Sequence, residues 1–250
     1  MNKVVVVGSS INPRQGRFTY SETRSKFDAD ERFRQTIFTV NSLQNALPDA
    51  KIIIVDSSDD VRDYRLNLSY HTNVQFVQLK EISPEAHEIV NTHPNKSLCE
   101  SLLLNTFYKY HKSNLLRYDF ILKATGRYFY YNLKDDLFSE ENQDKIFFKK
   151  PLSFEWNDSW RYDFVDRRSH QNNNRLHQYC TVLYGFGSSQ LNAMMDINEA
   201  TIHLLDQPSM NHYDIETLSY YFTRQHESTV VETDWIVSGW DGTSGRYMYY

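Results

Sequence analysis

Glycine and proline are scarce in this chain, at 8 and 6 among 250 residues, about half their usual share in soluble proteins. That shortage excludes a collagenous, Gly/Ser-linker or disordered polymer. It also suggests that each glycine marks a backbone position that needs one. Cysteine is rarer still. Cys99 and Cys180 lie far apart, which excludes a disulfide framework and a four-thiolate metal site; they read as buried free thiols of a reducing cytosol. There is no basic surplus, since the net charge is −5, so stable nucleic-acid binding is not expected. No stretch approaches the roughly 18 apolar residues of a membrane span, and the VVVV run near the start is too short for a signal segment. A cytoplasmic protein is expected. Nucleotide fingerprints are missing too: no G-x-G-x-x-G follows a strand, and there is no P-loop, H-E-x-x-H or G-x-S-x-G. The nine histidines show no zinc-ligand spacing.

The chain does have apolar material for a core: 40% hydrophobic and 15% aromatic residues, chiefly 18 Tyr and 15 Phe. Lys3–Val7, Lys51–Val55, Val74–Leu79 and Asp119–Lys123 read as strands buried on both faces. Between them, Glu31–Ala46, a region from Pro84 and Lys96–Lys112 carry helical spacing, with Asp28 or Asp30 as a cap for the first helix. Strands alternating with helices predict an α/β fold with a mostly parallel sheet flanked by helices. Later, Lys145–Lys149 and Tyr179–Phe186 read as strands, Ser188–Leu205 and Asp214–Gln225 as helices, and Val230–Val231 and Trp235–Val237 as short strands. With no linker or repeat, residues 1–250 parse as a single domain.

In such sheets ligands bind beyond the carboxyl ends of the strands. Three ends are polar here: Gly8-Ser9-Ser10, Asp56-Ser57-Ser58-Asp59-Asp60, and Lys123-Ala124-Thr125-Gly126-Arg127. Arg24 and Arg32 lie near the same edge, in the long polar stretch and at a helix start. Guanidinium groups and helix N-termini suit phosphate. The ordinary alternative is surface pairing with acidic neighbours.

These residues resemble a known group. Arg24-Ser25-Lys26-Phe27, Glu31-Arg32-Phe33-Arg34-Gln35-Thr36 and Lys123-Ala124-Thr125-Gly126-Arg127-Tyr128, in that order, are similar to glycosyltransferases of bacterial polysaccharide loci and phages. The resemblance covers residues 4–135 and is loose beyond. It implies a GT-A-like (Rossmann-like) domain with a nucleotide-sugar-binding half over 1–135 and an acceptor half over 136–250. The donor would meet Gly8, Ser9, Ser10, Arg24, Arg32, Asp56, Lys123, Thr125, Gly126 and Arg127. The acceptor would be a glycan or another hydroxyl.

One departure matters. The family pattern has a D-x-D after a central strand to hold Mn²⁺ or Mg²⁺, and this chain has Ala-Thr-Gly-Arg. Either Lys123 and Arg127 neutralise the leaving diphosphate without metal, or Asp56, Asp59 and Asp60 supply oxygen ligands. A base for the acceptor hydroxyl is sought among Glu216, Asp214 and Asp241; acids also favour helix starts for purely structural reasons. Trp240, with Trp156 and Trp160, is a candidate for stacking on a sugar, against the default of core packing. The missing D-x-D keeps a non-catalytic nucleotide- or glycan-binding protein open, and a nucleotidyltransferase shares the same diphosphate chemistry.

Overall fold

A computed structural model describes residues 1–68, 73–155, 175–209, 213–223 and 229–250. Trp156, Trp160, His170, His212 and the polar turn at 171–174 lie outside the described residues. The valines of β1 (Lys3–Ser9) are fully buried because they sit at the centre of the main sheet. On one side β1 pairs in parallel with β2 (Lys51–Asp56), and β2 in turn with β3 (Val74–Gln78), which α2 (Arg62–Leu68) precedes and the short α3 (Leu79–Ile82) follows. On the other it pairs in parallel with β4 (Phe120–Thr125). Beyond the short β5 (Tyr128–Tyr131), the chain returns to this sheet as β6 (Ile146–Lys149). A separate antiparallel pair, β7 (Leu152–Glu155) and β8 (Arg175–Gln178), precedes β9 (Leu183–Gly187). β9 lies antiparallel between β4 and β6, and β10 (Val230–Thr233) is parallel to β6. The order is β10-β6-β9-β4-β1-β2-β3. The fold is α/β, with a mostly parallel seven-stranded sheet flanked by helices.

Both faces of the sheet are covered, which explains the uninterrupted apolar strands. On one face Val4, Val6, Ile53 and Val55 pack with residues of α4 (Pro84–Thr92), α5 (Lys96–Leu115), α6 (Leu191–Leu205) and α7 (Ile215–Thr223). On the other, Val5, Val7, Ile52 and Ile54 pack with Val40 and Leu43 of α1 (Ala29–Ala46). A three-stranded antiparallel sheet completes that face: β5, β11 (Ile236–Trp240) and β12 (Tyr247–Tyr249). Caps set the helix starts. Asp28, rather than Asp30, accepts from Glu31 N at 2.8 Å; Ser83 opens α4, and Asn95 opens α5.

The expected strand Tyr179–Phe186 begins only at Leu183. Its first half is a buried turn, because tertiary bonds compete with ladder bonds there. The Tyr179 ring stacks on Phe148 at 4.3 Å, Tyr179 N donates to the Glu216 carbonyl, and the Thr181 carbonyl accepts from Lys123 Nζ. Because β9 is antiparallel, the turn that leads into it lies at the carboxyl end of β4. That brings late chain beside the polar ends of the early strands. No helix among the described residues is long and apolar enough to cross a membrane.

Candidate functional site

A cleft of about 740 Å³, open solvent at its mouth included, lies at the carboxyl edge of β1 and β4. Gly8, Ser9 and Ser10 line it from β1 and the residue beyond, and Thr125 and Arg127 from the end of β4. Arg32 reaches it from α1, and Arg24, Pro13 and Phe18 from the long loop. Lys96, Cys99, Glu100 and Leu103 present the first turns of α5, whose N-terminal partial positive charge adds to the local field. Gly242 and Thr243, between β11 and β12, close another side. Seven of the ten residues expected to meet a donor share this wall. Asp56, Lys123 and Gly126 do not line it.

Arg127 has an unusual backbone. Its φ is 109°, a conformation costly for any residue with a side chain and concentrated at functional sites. The neighbouring Gly126 has no positive φ. The Thr39 hydroxyl holds the strained segment by accepting from Arg127 N at 2.9 Å and from Tyr128 N at 3.1 Å. Two glycines leave room for it. A Cβ on Gly239 would lie 2.4 Å from the Arg127 carbonyl oxygen, and one on Gly242 would lie 2.9 Å from Arg127 Cζ. Arg127 Nε donates to the Trp240 carbonyl at 3.4 Å, and the residue forms no ion pair among the described residues.

Arg32 is buried, donating from Nε to the Ser10 carbonyl and from Nη1 to Ser25 Oγ. Burial, and then repulsion from Arg127, push its pKa well below the ordinary guanidinium value, against the pull of Asp56. Two guanidinium groups that oppose one another at a cleft wall leave a positive field there that an anion relieves. Arg24 has a different occupation. Its guanidinium donates to the Val90 and His93 carbonyls at the end of α4 and stacks over Phe18 at 4.5 Å.

Lys123 is fully buried behind the wall. Its ammonium donates to Glu100, to Thr125 Oγ1 at 2.8 Å and to the Thr181 carbonyl. All three of its donors are engaged within the protein, so its charge is matched to Glu100. Glu100 had no signal in the sequence beyond its place on a helix. Burial works against its charge, but Lys123 outweighs burial, with Lys96 and Arg127 behind it, and holds the carboxyl below its usual value.

Beyond Lys123 lies a second cavity of about 630 Å³, open solvent included. Tyr179, Cys180, Thr181, Asp214, Glu216 and Tyr250 are among its lining residues. Glu216 Oε1 accepts from Thr181 Oγ1 at 2.9 Å. Burial, then the charges of Asp214 and Glu100, raise its pKa to about 7. Asp214 caps the first turn of α7, accepting from Thr217 N at 2.7 Å and from Gln178 Nε2 at 2.9 Å. Lys123 and Thr181 therefore join the two spaces: one end of this polar chain is Glu100 in the cleft, the other Glu216 in the cavity.

The remaining candidates sit elsewhere. Asp241 accepts from Thr243 Oγ1 and Ser244 N within its own turn. Burial alone would raise its pKa, but Ser244, Lys96 and Thr243 bring it down to about 2. Asp56 is fully buried, accepting from Ile11 N at 2.9 Å and Ser58 N at 2.8 Å, so it anchors the loop after β1. Asp59 takes a bidentate bond from Arg14 at 2.7 and 3.0 Å, and Asp60 lies exposed beside it. Among the described residues, no three His, Cys, Asp or Glu side chains gather as a metal-binding group. The carboxylates of Asp56, Asp59 and Asp60 thus do not fit a protein-held divalent cation. Trp240 lines neither space; it packs edge-on to Tyr247 at 5.0 Å.

No family model matches the chain, and no curated protein matches it. Among solved structures it is similar to mouse xyloside xylosyltransferase 1 in its apo form, at 10% identity and a TM-score of 0.48, covering 94% of this chain and 86% of that one. It is also similar to the glycosyltransferase GlyE of Streptococcus pneumoniae TIGR4, at 11% identity and a TM-score of 0.47, covering 93% of this chain and 45% of that one. Both of those proteins are glycosyltransferases.

Proposed function

We propose that the protein transfers a sugar from a nucleotide-sugar donor to a hydroxyl acceptor without a protein-held metal ion. The observation that carries this reading is Arg127, without an ion pair among the described residues and held at φ 109° beside the buried Arg32 at the carboxyl edge of the sheet. A strained cation facing a second cation suits a ligand with concentrated negative charge, and a diphosphate is such a ligand. Ser9, Ser10 and Thr125 add neutral hydrogen-bonding groups along the same wall.

In this reading the bond between the sugar's anomeric carbon and the diphosphate oxygen breaks, and the nucleoside diphosphate leaves with the electron pair. Arg127, Arg32 and Lys96 stabilise its developing charge. The acceptor oxygen forms the new glycosidic bond and gives its proton to Glu216. With a pKa of about 7, Glu216 is suited to general-base work near neutral pH. Asp241, at about 2, is a far weaker base, and Asp214 has a capping role. The first half of the chain binds the donor and the second half supplies the base.

Thermal shift against a panel of nucleotide sugars, with Mn²⁺ and with chelator, tests this directly. A donor that binds the native state raises the transition temperature. The expected result is a shift that persists in chelator, followed by donor turnover. Binding with neither hydrolysis nor transfer would make the protein a non-catalytic binder. Pyrophosphate release that requires Mg²⁺ would make it a nucleotidyltransferase.

A further inference from the structure

The small sheet of β5, β11 and β12 has one face turned away from the core. Its register sets which side chains lie there. Tyr131 is opposite Ile236, Phe129 opposite Ser238, Ser238 opposite Tyr249, and Trp240 opposite Tyr247. Side chains alternate along a strand, so all of these share the outer face, while Tyr128, Tyr130 and Val237 point into the core. Phe38 of α1 extends the same surface, 5.9 Å from the Phe129 ring. Phe129 meets Tyr131 at 6.5 Å and Trp240 at 5.7 Å.

These rings are exposed. Tyr249 is 71% accessible, Tyr247 53%, Phe38 50% and Tyr131 47%. Contiguous exposed aromatics of this kind mark a binding surface. The chemistry of the patch narrows the occupant. It bears no charge, so it offers nothing to a phosphate or an acidic chain. Its exposed members are flat rings, with Ile236 the one aliphatic, and the hydroxyls of Tyr131, Tyr247 and Tyr249 border them; Ser238 lies buried beneath, accepting from the Tyr247 hydroxyl at 2.8 Å. Flat rings beside hydroxyls match the alternating C–H faces and hydroxyl edges of pyranose sugars. The surface is also continuous with the cleft: the Trp240 carbonyl accepts from Arg127, and Gly242 and Thr243, on the turn that follows, line the cleft itself.

We infer that this face is a glycan platform, holding a neutral pyranose chain as it leads to the cleft. The inference rests on the glycosyltransferase reading for its direction, since it identifies the acceptor as a chain rather than a small alcohol. It gives Trp240 a part outside the cleft, as an inner ring of the platform.

Native electrophoresis through gels containing xylan, mixed-linkage β-glucan, dextran or galactomannan tests it. The wild-type chain should be retarded in at least one gel. Tyr247→Ala with Tyr249→Ala should weaken that interaction about tenfold, as expected for removing two stacking rings, whereas Tyr247→Phe with Tyr249→Phe should keep most of it. Both positions are exposed, and an unchanged thermal transition checks their folding. No retardation in any gel, or equal retardation of the alanine pair, overturns the inference. So does a wild-type dimer that the alanine pair converts to monomer without any glycan effect; the face would then join two copies of the chain. Nucleotide-sugar thermal shift on the same samples separates the two readings. A donor shift without retardation removes the platform alone, and retardation without any donor shift removes the transferase reading alone.

Discussion

The cleft and the second cavity are built from opposite charge and opposite parts of the chain. The cleft is framed by cations at the end of a parallel strand, the long loop and the starts of α1 and α5, and one of them, Arg127, has a strained backbone. The cavity is framed by a turn and the start of α7, and among its lining groups is Glu216, a carboxyl whose pKa burial and acidic neighbours raise to about 7. One ion pair, the buried Lys123 with Glu100 at the cleft wall, separates them, and Thr181 links that pair to Glu216. The difference teaches how one sheet edge can keep a cationic wall and an acidic pocket apart. Arg24, Arg32, Lys96 and Arg127 line the cleft, whereas Asp214 and Glu216 line the cavity.

Changes on each side of that divide should have different signatures. The largest is at Arg127. Arg127→Ala should abolish donor turnover, a loss of at least about 100-fold on the scale of removing one transition-state stabiliser, while the thermal transition stays near wild type. Arg127→Gly should be equally inactive yet more stable by about 1 kcal/mol, because glycine adopts the positive φ without strain. A destabilised glycine variant would contradict the strain argument.

Lys123→Met strikes the divide itself. It removes the partner of Glu100, which is partly exposed at the cleft, and leaves the Thr181 carbonyl without its donor, so chemical denaturation should show a loss of about 1–3 kcal/mol. A near-neutral result would mean that Glu100 finds another cation, with Lys96 the nearest candidate by its influence on that carboxyl.

Glu216→Gln should lower turnover about 100-fold with donor binding retained. The wild-type rate should rise with pH through about 7, as the carboxyl becomes a free base, and the variant should lose that limb. Stability gives an independent sign. A carboxyl whose folded pKa is raised above its unfolded value contributes stability that is fully present below the unfolded value and is lost as pH rises through the folded one. The wild type should therefore lose stability between about pH 4.5 and 7, and Glu216→Gln should be relatively more stable at pH 8 than at pH 4. A pH-independent difference in melting would remove the raised pKa.

The smallest effect belongs to Thr181→Val. It removes one hydrogen bond to the ionised form of Glu216, at a cost of about 1 kcal/mol. The rising limb of the rate profile should move to higher pH, since that bond favours the charged carboxylate.

The early strands and helices were legible because their apolar runs and caps are local: buried β1 and β2, Asp28 before α1 and Ser83 before α4. The cleft wall was largely legible for the same reason, since strand ends in a parallel sheet converge on one edge. Asp56 and Lys123 sat at the expected strand ends, but the sequence carried no sign that loop amides would engage Asp56 and that Glu100 would meet Lys123. Those partners lie 45 and 23 residues away. Glycine scarcity pointed to positions that do need glycine, by a positive φ at Gly16 and Gly245 and by close approach at Gly187, Gly239 and Gly242. It gave no sign of the positive φ at Arg127, which Gly239 and Gly242 accommodate from more than a hundred residues later.

By itself, then, the sequence determined an α/β chain with a buried sheet, polar strand ends and a shortlist of cations and acids. Periodicity and strand-end chemistry are short-range properties, readable one segment at a time. Only the tertiary structure decided that β9 runs antiparallel, that its turn meets Lys123, and that burial and neighbouring charges raise the pKa of Glu216 while hydrogen bonds and Lys96 lower that of Asp241. Those outcomes depend on desolvation and on charges brought together from distant segments, and such energies exist only once the chain has folded.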